Sequence, residues 1–201
     1  MKLFYEITYR YFRAPWDLGP RRELVEAVES SRIQPCKTID LGCGTASNAI
    51  FLAQHGFDVT GTDYSPAAIA LCRERGAAAG VSVQWLEDDL TNLQHVKGTF
   101  DLLVDWGVYD DLSQTDRQAY LRNVLPLTHA QSQFLIYVHQ WPPRWWEKRL
   151  PRLFGTISLR PGEIQADFGP YFEIETLTER RLSGYIAGEA VYLMTRKGGS
   201  P

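Results

Sequence analysis

Disulfide and zinc motifs are lacking in this sequence of 201 residues. Its three cysteines, Cys36, Cys43 and Cys72, are odd in number and do not show the paired spacing of zinc ligands. Such a pattern is typical of reduced thiols. We therefore expect neither a disulfide framework nor a metal site.

An excess of one charge and long apolar runs are lacking as well. The 21 Lys and Arg residues and 24 Asp and Glu residues give a formal net charge of −3, whereas a dedicated nucleic-acid-binding protein carries a strongly basic surface. The first residues, Met1 to Glu6, have no apolar core of signal-peptide length, and no later stretch reaches the roughly 20 apolar residues of a membrane-spanning helix. We expect a cytoplasmic protein that binds neither nucleic acid nor membrane.

The most informative stretch covers residues 37–64. An apolar run that contains Asp40 leads into a turn with Gly42 and Gly44, a helical segment follows, and a second apolar run ends at Asp63. A strand, a glycine loop, a helix and a strand in this order bind nucleoside-containing cofactors. Asp63 lies about twenty residues beyond the first loop glycine, where an acid accepts hydrogen bonds from ribose hydroxyls.

Strand-like and helix-like segments alternate along the rest of the chain. The other predicted strands are 81–86, 100–105, 133–139, 172–178 and 185–195, the last two joined near Gly184, and the predicted helices are 3–13, 21–32, 66–79, 113–124 and 161–168. This alternation predicts one α/β domain over residues 1–201. We expect a doubly wound, Rossmann-like sheet of about seven strands, mainly parallel with one late antiparallel strand, and helices on both faces.

Ligands of such sheets bind beyond the carboxyl ends of the parallel strands. Five predicted strands close with a titratable residue, and these residues are Asp40, Asp63, Asp89, Asp105 and His139. We therefore expect all five along one rim of the sheet.

The glycine loop does not complete the dinucleotide-binding fingerprint, because Ser47 stands where G-x-G-x-x-G requires its last glycine. Asp40, two residues before Gly42, would also repel the pyrophosphate of a dinucleotide. The same carboxylate suits a cationic ligand, and S-adenosylmethionine carries an ammonium group and a sulfonium but no phosphate. These residues favour S-adenosylmethionine over NAD.

The motif Ile39-Asp40-Leu41-Gly42-Cys43-Gly44-Thr45, with Asp63 ending the next strand, resembles the class I S-adenosylmethionine-dependent methyltransferases over residues 15–196. The stretches 15–20, 56–69 and 105–111 are similar to small-molecule members of the thiopurine and thiol/halide type. The resemblance implies methyl transfer by in-line displacement to a small-molecule acceptor, with a thiol, a hydroxyl or an amine all open. The alternatives are a non-catalytic or regulatory module that binds S-adenosylmethionine and, less favoured, a nicotinamide-dependent oxidoreductase.

The resemblance also implies roles for residues of the cofactor site. The two loop glycines let the backbone approach the methionine part of the cofactor, and Asp40 fixes the loop or the ammonium group. Asp63 binds the ribose hydroxyls, and Asp89 or its neighbour Asp88 holds the adenine amine. The implied cofactor-binding residues are Trp16, Asp40, Gly42, Cys43, Gly44, Asp63, Tyr64, Asp89, Leu90, Asp105 and Trp106.

Methyl transfer from a sulfonium requires alignment of the acceptor, and a base helps when the acceptor is a hydroxyl or a protonated amine. A thiol would need positioning alone. The candidate bases are His139 after the fifth strand and Tyr109, Asp110 and Asp111 after the fourth. We predict His139, Tyr109 and Asp110 as the catalytic residues.

Two aromatic segments are expected beside the site. Residues 1–20, with Trp16, are predicted to cover the cofactor, and residues 140–165 are predicted to form a substrate lid. A flat or apolar acceptor would lie among aromatic rings from several segments. These rings are Tyr9, Tyr11, Trp106, Tyr109, Trp141, Trp145 and Trp146. The oligomeric state stays open.

Overall fold

The computed structural model describes residues 2–12, 14–140, 159–181 and 188–198. The helices are α1 (Lys2–Tyr11), α2 (Arg22–Glu29), α3 (Ser47–Gln54), α4 (Pro66–Ala78), α5 (Gln114–Val124) and α6 (Glu163–Phe168). The strands are β1 (Lys37–Leu41), β2 (Asp58–Asp63), β3 (Gln84–Glu87), β4 (Phe100–Trp106), β5 (Thr128–Gln140), β6 (Phe172–Arg181) and β7 (Gly188–Arg196). Single turns of 3-10 helix lie at Tyr109–Asp111 and Leu125–Leu127.

Within the described ranges, seven strands form one sheet in the order β3-β2-β1-β4-β5-β7-β6. The pairs β1/β2, β1/β4, β2/β3 and β4/β5 are parallel, and β7 runs antiparallel between β5 and β6. The strand order reverses between β1 and β4, which is the switch point where doubly wound sheets bind ligands. The predicted fold class is confirmed, including the late antiparallel strand.

The core lies in two layers, one on each face of the sheet. Successive residues of a strand point to opposite faces, so Leu102 packs with α2 and α3 whereas Leu103 packs with α5 and α6. Tyr120 of α5 and Phe168 of α6 are fully buried in the second layer. The continuous apolar run of β4 therefore belongs to a strand that is covered on both faces.

Two predicted helix starts are confirmed in detail. The Ser65 hydroxyl accepts a hydrogen bond from the Ala68 amide at 3.1 Å, and Pro66 occupies the first turn of α4. The Ser113 hydroxyl accepts from the Asp116 amide at 3.2 Å and donates to the Asp116 carboxylate at 2.6 Å. Local hydrogen bonds therefore fix where α4 and α5 begin.

Strand β5 begins at Thr128, whereas the apolar pattern predicts Gln133. The additional residues pair with the start of β4 across an irregularity after Phe100. The fully buried Ser132 hydroxyl donates to the Phe100 carbonyl oxygen at 2.7 Å. This pairing is polar, so the hydrophobic pattern of the sequence does not show it.

The boundary of β3 also differs, since the strand covers Gln84–Glu87 and omits the predicted start at Val81. The predicted turn near Gly184 lies outside the described residues, as does most of the predicted 140–165 lid with Trp141, Trp145 and Trp146. Within the described ranges, no helix is long and apolar enough to cross a bilayer.

Candidate active site

A cavity of about 820 Å³ lies at the carboxyl ends of the parallel strands. Volumes of this order hold ligands of drug or cofactor size. The predicted site residues that line it are Trp16, Asp40, Gly42, Cys43, Gly44, Asp63, Tyr64, Asp89, Leu90, Trp106 and His139. The other predicted residues, Asp105, Tyr109 and Asp110, lie behind the cavity wall.

The glycine loop after β1 is shaped for close approach of a ligand to the backbone. Gly42 and Gly44 have φ angles of +70° and +51°, which residues with a side chain rarely adopt. A Cβ atom on Gly42 would lie 2.3 Å from Val108, and one on Gly44 would lie 2.8 Å from the Tyr9 hydroxyl. Both positions therefore require glycine for space as well as for conformation.

Asp40 places a buried carboxylate beside the loop. It is only 2% exposed, and its Oδ2 atom has no hydrogen-bond partner among the described residues. Burial, followed by repulsion from Asp105 and Asp63, raises the pKa of Asp40 to about 7. Because an unpaired buried carboxylate is costly, an ammonium group in the cavity would stabilise this arrangement.

Asp63 connects the end of β2 to both neighbouring segments of the site. Its carboxylate accepts hydrogen bonds from the Gly44 amide at 3.0 Å and from the Ser65 amide at 2.9 Å. Burial raises its pKa to about 6. Asp63 therefore supports the glycine loop and the start of α4 while it lines the cavity.

The structure separates Asp88 from Asp89, which the sequence leaves as alternatives. The Asp88 carboxylate accepts hydrogen bonds from four backbone amides, those of Asp89, Gln94, His95 and Val96. These bonds lower the pKa of Asp88 although burial opposes them. The Asp89 carboxylate accepts from the amide and hydroxyl of Thr91. Asp88 thus organises the loop after β3, and both Asp88 and Asp89 line the cavity.

Helix α1 lies over one side of the cavity and contributes Tyr5 and Tyr9 to its wall. The Trp16 ring packs edge-on against both, with ring centroids 5.2 Å and 5.8 Å away, and its Nε1 donates to the Tyr9 hydroxyl at 3.2 Å. The Glu6 carboxylate accepts hydrogen bonds from the Ser65 hydroxyl and, at 3.3 Å, from the Ala67 amide. The aromatic cluster is therefore anchored on the start of α4.

A second contact holds the N-terminal segment to the glycine loop. The guanidinium of Arg75 makes two hydrogen bonds of 2.8 Å to the Asp17 carboxylate and a third of 3.1 Å to the Thr45 carbonyl oxygen. Asp17 directly follows Trp16 in the chain. The Arg75 contacts therefore fix Trp16 relative to the loop that it faces.

Cys43 lines the cavity but is not suited to nucleophilic chemistry. Its Sγ lies 3.6 Å from the Sγ of Cys72, and both thiols are buried. The hydrogen bond with Cys72 and burial raise the pKa of the Cys43 thiol. Cys43 therefore contributes a small packed side chain and its backbone to the loop.

Asp105, which the resemblance implies as a cofactor-binding residue, is buried behind the cavity wall. It is fully buried, accepts from the Tyr120 hydroxyl at 2.6 Å and from the Val108 amide at 2.9 Å, and has a pKa raised by burial to about 7. These bonds hold the turn that carries Trp106. The Trp106 ring itself lines the cavity and stacks on Tyr137 at 4.9 Å with planes 10° apart.

Tyr109, predicted from the sequence as a catalytic residue, does not line the cavity. Its ring is fully buried against Tyr120 and Phe168, with centroids 5.2 Å and 5.0 Å away. Its hydroxyl donates to Asp167 at 2.8 Å. Burial raises the pKa of Tyr109 above its usual value, so its hydroxyl stays protonated. The ring lies in the core and does not line the cavity.

The other two predicted catalytic residues form a pair. The buried Asp110 carboxylate lies 3.0 Å from Nδ1 of His139 and accepts from the His139 amide at the same distance. The His139 side chain is 50% exposed and lines the cavity. The contact with Asp110 raises the pKa of His139, although burial opposes the shift. Asp110 therefore acts on the imidazole and has no direct access to the cavity.

Sequence reasoning missed Tyr137 and Glu189 at this site. The Tyr137 hydroxyl lies 3.0 Å from Nε2 of His139 and 3.2 Å from the Glu189 carboxylate. Tyr137 shares a face of β5 with His139 two residues later, a signal that the alternation of the strand contains. Glu189 lies opposite His139 in the β5/β7 register, which the sequence alone does not reveal.

Within the described residues, no group of three His, Cys, Asp or Glu side chains is arranged to hold a metal ion. The carboxylates that surround the glycine loop instead form a site for a cationic, phosphate-free nucleoside ligand.

Comparisons with known proteins point to the same chemistry. A family model described as a methyltransferase domain matches residues 39–130, which include the glycine loop and the ends of β2 and β4. A curated relative from Mycobacteroides abscessus, 2-heptyl-1-hydroxyquinolin-4(1H)-one methyltransferase, is 26% identical over 175 residues. The match covers 85% of this chain and 73% of the relative.

Solved structures share the fold over nearly the whole chain. One of them has a TM-score of 0.79 at 23% identity, and the match covers 100% of this chain and 94% of that chain. That structure comes from work on the conversion of a disulfide bond into a thioacetal group during echinomycin biosynthesis. The N-methyltransferase NodS from Bradyrhizobium japonicum, solved with S-adenosyl-L-homocysteine, has a TM-score of 0.74 at 14% identity, with coverages of 97% and 98%. Identities this low establish the fold alone.

The buried acids around this glycine loop fit an ammonium-bearing nucleoside without phosphate. The loop falls inside the matched methyltransferase region, and the relative that spans most of the chain is a methyltransferase. We conclude that the chain is a class I S-adenosylmethionine-dependent methyltransferase.

Proposed function

We propose that the protein methylates a weakly acidic hydroxyl group on a small, planar acceptor, with His139 as the general base. The observation that carries this proposal is the buried Asp110 carboxylate at 3.0 Å from Nδ1 of a histidine that lines the cavity. An Nδ1–H donated to Asp110 leaves Nε2 as the basic nitrogen. A thiol acceptor would need no such base, because thiols ionise readily near neutral pH.

The carboxylates that line the cavity fit S-adenosylmethionine. In our proposal, the unpaired Oδ2 of Asp40 accepts from the ammonium group, Asp63 binds the ribose hydroxyls and Asp89 holds the adenine amine. The N-terminal segment, residues 1–20, covers the cofactor with Tyr9 and Trp16. When bound, the cofactor supplies an electrophilic methyl group on a positively charged sulfur atom.

His139 moves one proton in this mechanism. Its Nε2 takes the hydroxyl proton of the acceptor, and the oxygen keeps the electron pair, which makes it a nucleophile. The imidazolium charge that forms is balanced by Asp110, which lies in contact with the ring. Because the His139 side chain is half exposed, the imidazolium can then return the proton to water.

An aromatic platform supports a planar acceptor. The stacked rings of Trp106 and Tyr137 lie on the side of the cavity that holds His139, and flat apolar ligands pack well on such surfaces. The Mycobacteroides abscessus relative acts, according to its name, on a hydroxyquinolinone, which is a planar ring system with an N-hydroxyl group. This relative supports an oxygen acceptor of the same class here.

The buried acids give the cofactor affinity a defined pH dependence. Because the pKa of Asp40 is about 7 in the free protein, lowering the pH through 7 protonates the carboxylate and removes the negative partner of the ammonium group. We expect the Kd of S-adenosylmethionine, measured by calorimetry from pH 8 to pH 5.5, to rise as the pH falls. Asp40→Asn is expected to bind weakly at pH 8 and to show a flatter profile, and an unchanged profile would contradict the ammonium assignment.

An acceptor panel tests the proposed function. Wild-type enzyme is incubated with S-adenosylmethionine and, separately, with 2-heptyl-1-hydroxyquinolin-4(1H)-one and with the matched set 4-methylphenol, 4-methylbenzenethiol and 4-methylaniline. Mass spectrometry of the products is expected to show methylated oxygen, with hydroxyl acceptors preferred over the amine. Turnover of the thiol alone, or of the amine alone, would overturn the proposal.

A further inference from the structure

The hydroxyl of Tyr137 lies between two groups that both accept protons. Its oxygen is 3.0 Å from Nε2 of His139 and 3.2 Å from Oε2 of Glu189. The two rings, Tyr137 and His139, pack edge to face with centroids 5.0 Å apart. A phenol has a single proton, so Tyr137 donates to one of these two groups at a time.

The choice between them decides whether His139 is available. When Nδ1 of a neutral His139 carries the proton and donates it in a hydrogen bond to Asp110, the lone pair of the imidazole lies on Nε2. If Tyr137 donates to Nε2, that lone pair is occupied. If Tyr137 donates to Glu189, the lone pair is free to take a proton from the acceptor.

We propose that Glu189 is a positioning residue. It accepts the hydrogen bond of the Tyr137 hydroxyl and thereby keeps Nε2 of His139 free to act as the base. The inference rests on the proposed function, because it assigns Glu189 a role only through His139. The proton step is the one given above: the O–H bond of the acceptor breaks, the N–H bond forms at Nε2, and the oxygen keeps the electron pair.

The surroundings of Glu189 fix which of its oxygens faces Tyr137. Its other oxygen, Oε1, lies 3.6 Å from a guanidinium nitrogen of Arg180, and a second Arg180 nitrogen lies 3.4 Å from Glu23. Strand pairing between β5 and β7 sets Glu189 directly opposite His139. A carboxylate is also a stronger hydrogen-bond acceptor than a neutral imidazole, so the Tyr137 hydroxyl donates to Glu189 and not to His139.

The charged and titratable groups around His139 come from three segments. Asp110 and Asp111 belong to the 3-10 turn, Tyr137 precedes His139 on β5, and Glu189 faces His139 from β7. The acids among them raise the pKa of His139, with Asp110 the largest cause. Burial raises the pKa of Tyr137, so its hydroxyl stays protonated at neutral pH.

Glu189→Gln separates this role from a structural one. The amide keeps the size of the side chain, but its NH₂ group is repelled by Arg180 and turns toward Tyr137. Tyr137 then accepts from the amide and donates its own proton to Nε2 of His139. Tyr137→Phe removes that proton and keeps the ring that stacks on Trp106, so it supplies the matched background.

The test is a double-mutant cycle of Glu189→Gln and Tyr137→Phe with two readouts. The pKa of His139 is followed by ¹⁵N-histidine NMR titration of the protein without acceptor, and kcat is measured with 4-methylphenol and S-adenosylmethionine. We expect Glu189→Gln alone to lower kcat by about tenfold, the cost of breaking one hydrogen bond of ordinary strength. It should also lower the pKa of His139, because neutral His139 gains a donor and loses a nearby negative charge.

In the Tyr137→Phe background, Glu189→Gln should lower kcat much less and shift the pKa of His139 less. No phenol is then left to donate to His139, so the substitution removes only the negative charge of Glu189. Equal effects in both backgrounds would overturn the inference, because Glu189 would then act without Tyr137. An unchanged pKa of His139 in Glu189→Gln would overturn it as well. His139→Gln is measured in parallel: full activity would overturn the proposed base and this inference with it, whereas lost activity with an additive cycle would overturn this inference alone.

Discussion

His139→Gln is expected to lower kcat for a hydroxyl acceptor by about 100- to 10,000-fold, the contribution of a well-placed general base. Glutamine keeps a polar side chain of similar reach but cannot take a proton at neutral pH. The affinity for S-adenosylmethionine should be retained, because His139 lies on the acceptor side of the cavity. Steady-state kinetics with 4-methylphenol, whose hydroxyl stays protonated at neutral pH, together with calorimetry of cofactor binding, check both expectations.

The proposed base also predicts the direction in which activity changes with pH. A protonated imidazole cannot accept a proton, so wild-type activity should fall as the pH falls through the raised pKa of His139. Asp110→Asn removes the largest cause of that shift. The acidic limb of its profile should therefore move to lower pH while the plateau falls, because the imidazole becomes a weaker base.

The chain contains a matched control for this histidine. His129 also pairs with an aspartate, Asp101, at 3.0 Å, but it lies at the start of β5, at the opposite end of the strand from His139. His129→Gln should keep wild-type kcat and pH profile. If both histidine variants lose activity equally, or if neither does, the assignment of His139 is wrong.

Asp63→Ala is expected to weaken S-adenosylmethionine binding by about 100-fold or more. The substitution removes the proposed contacts to the ribose, each a charge-assisted hydrogen bond of about 1.5–3 kcal/mol. It also removes the acceptor of the Gly44 and Ser65 amides, so the glycine loop loses its support. Calorimetric titration with S-adenosylmethionine and S-adenosylhomocysteine measures the change.

Asp58 provides the control for Asp63, since it stands at the exposed start of the same strand. Asp58→Ala should bind both ligands with wild-type affinity. Asp63→Asn, which still accepts one amide hydrogen bond, should fall between the wild type and Asp63→Ala, and thermal unfolding shows whether each variant is folded. Full cofactor affinity in a folded Asp63→Ala protein would refute the ribose assignment.

Much of the fold was predictable because its signals are local. The unit from β1 to β2 is set by an apolar run, a glycine turn and a second apolar run, and the starts of α4 and α5 are set by Ser65 and Ser113. The place of β7 between β5 and β6 was not predictable in this way. It depends on pairing between strands that are far apart in the sequence, and no local pattern records that pairing.

The site divides in the same manner. The sequence places Asp40, Gly42, Gly44 and Asp63 at one rim because each lies at or just after the carboxyl end of a parallel strand, and all four line the cavity. The sequence does not show that Tyr109 and Asp110, neighbours in a 3-10 turn, point in different directions: the Tyr109 ring enters the core and the Asp110 carboxylate faces His139. Side-chain direction within a single turn is set by packing, and a sequence does not display it.

Label transfer tests the central claim most directly. Wild-type enzyme is given S-adenosylmethionine with a ¹³C-labelled methyl group and 2-heptyl-1-hydroxyquinolin-4(1H)-one, and the product is located by NMR. We predict a ¹³C methyl group on the hydroxyl oxygen, and almost none with His139→Gln under the same conditions. Label on nitrogen or carbon of the acceptor, or equal O-methylation by the His139 variant, would contradict the proposed mechanism.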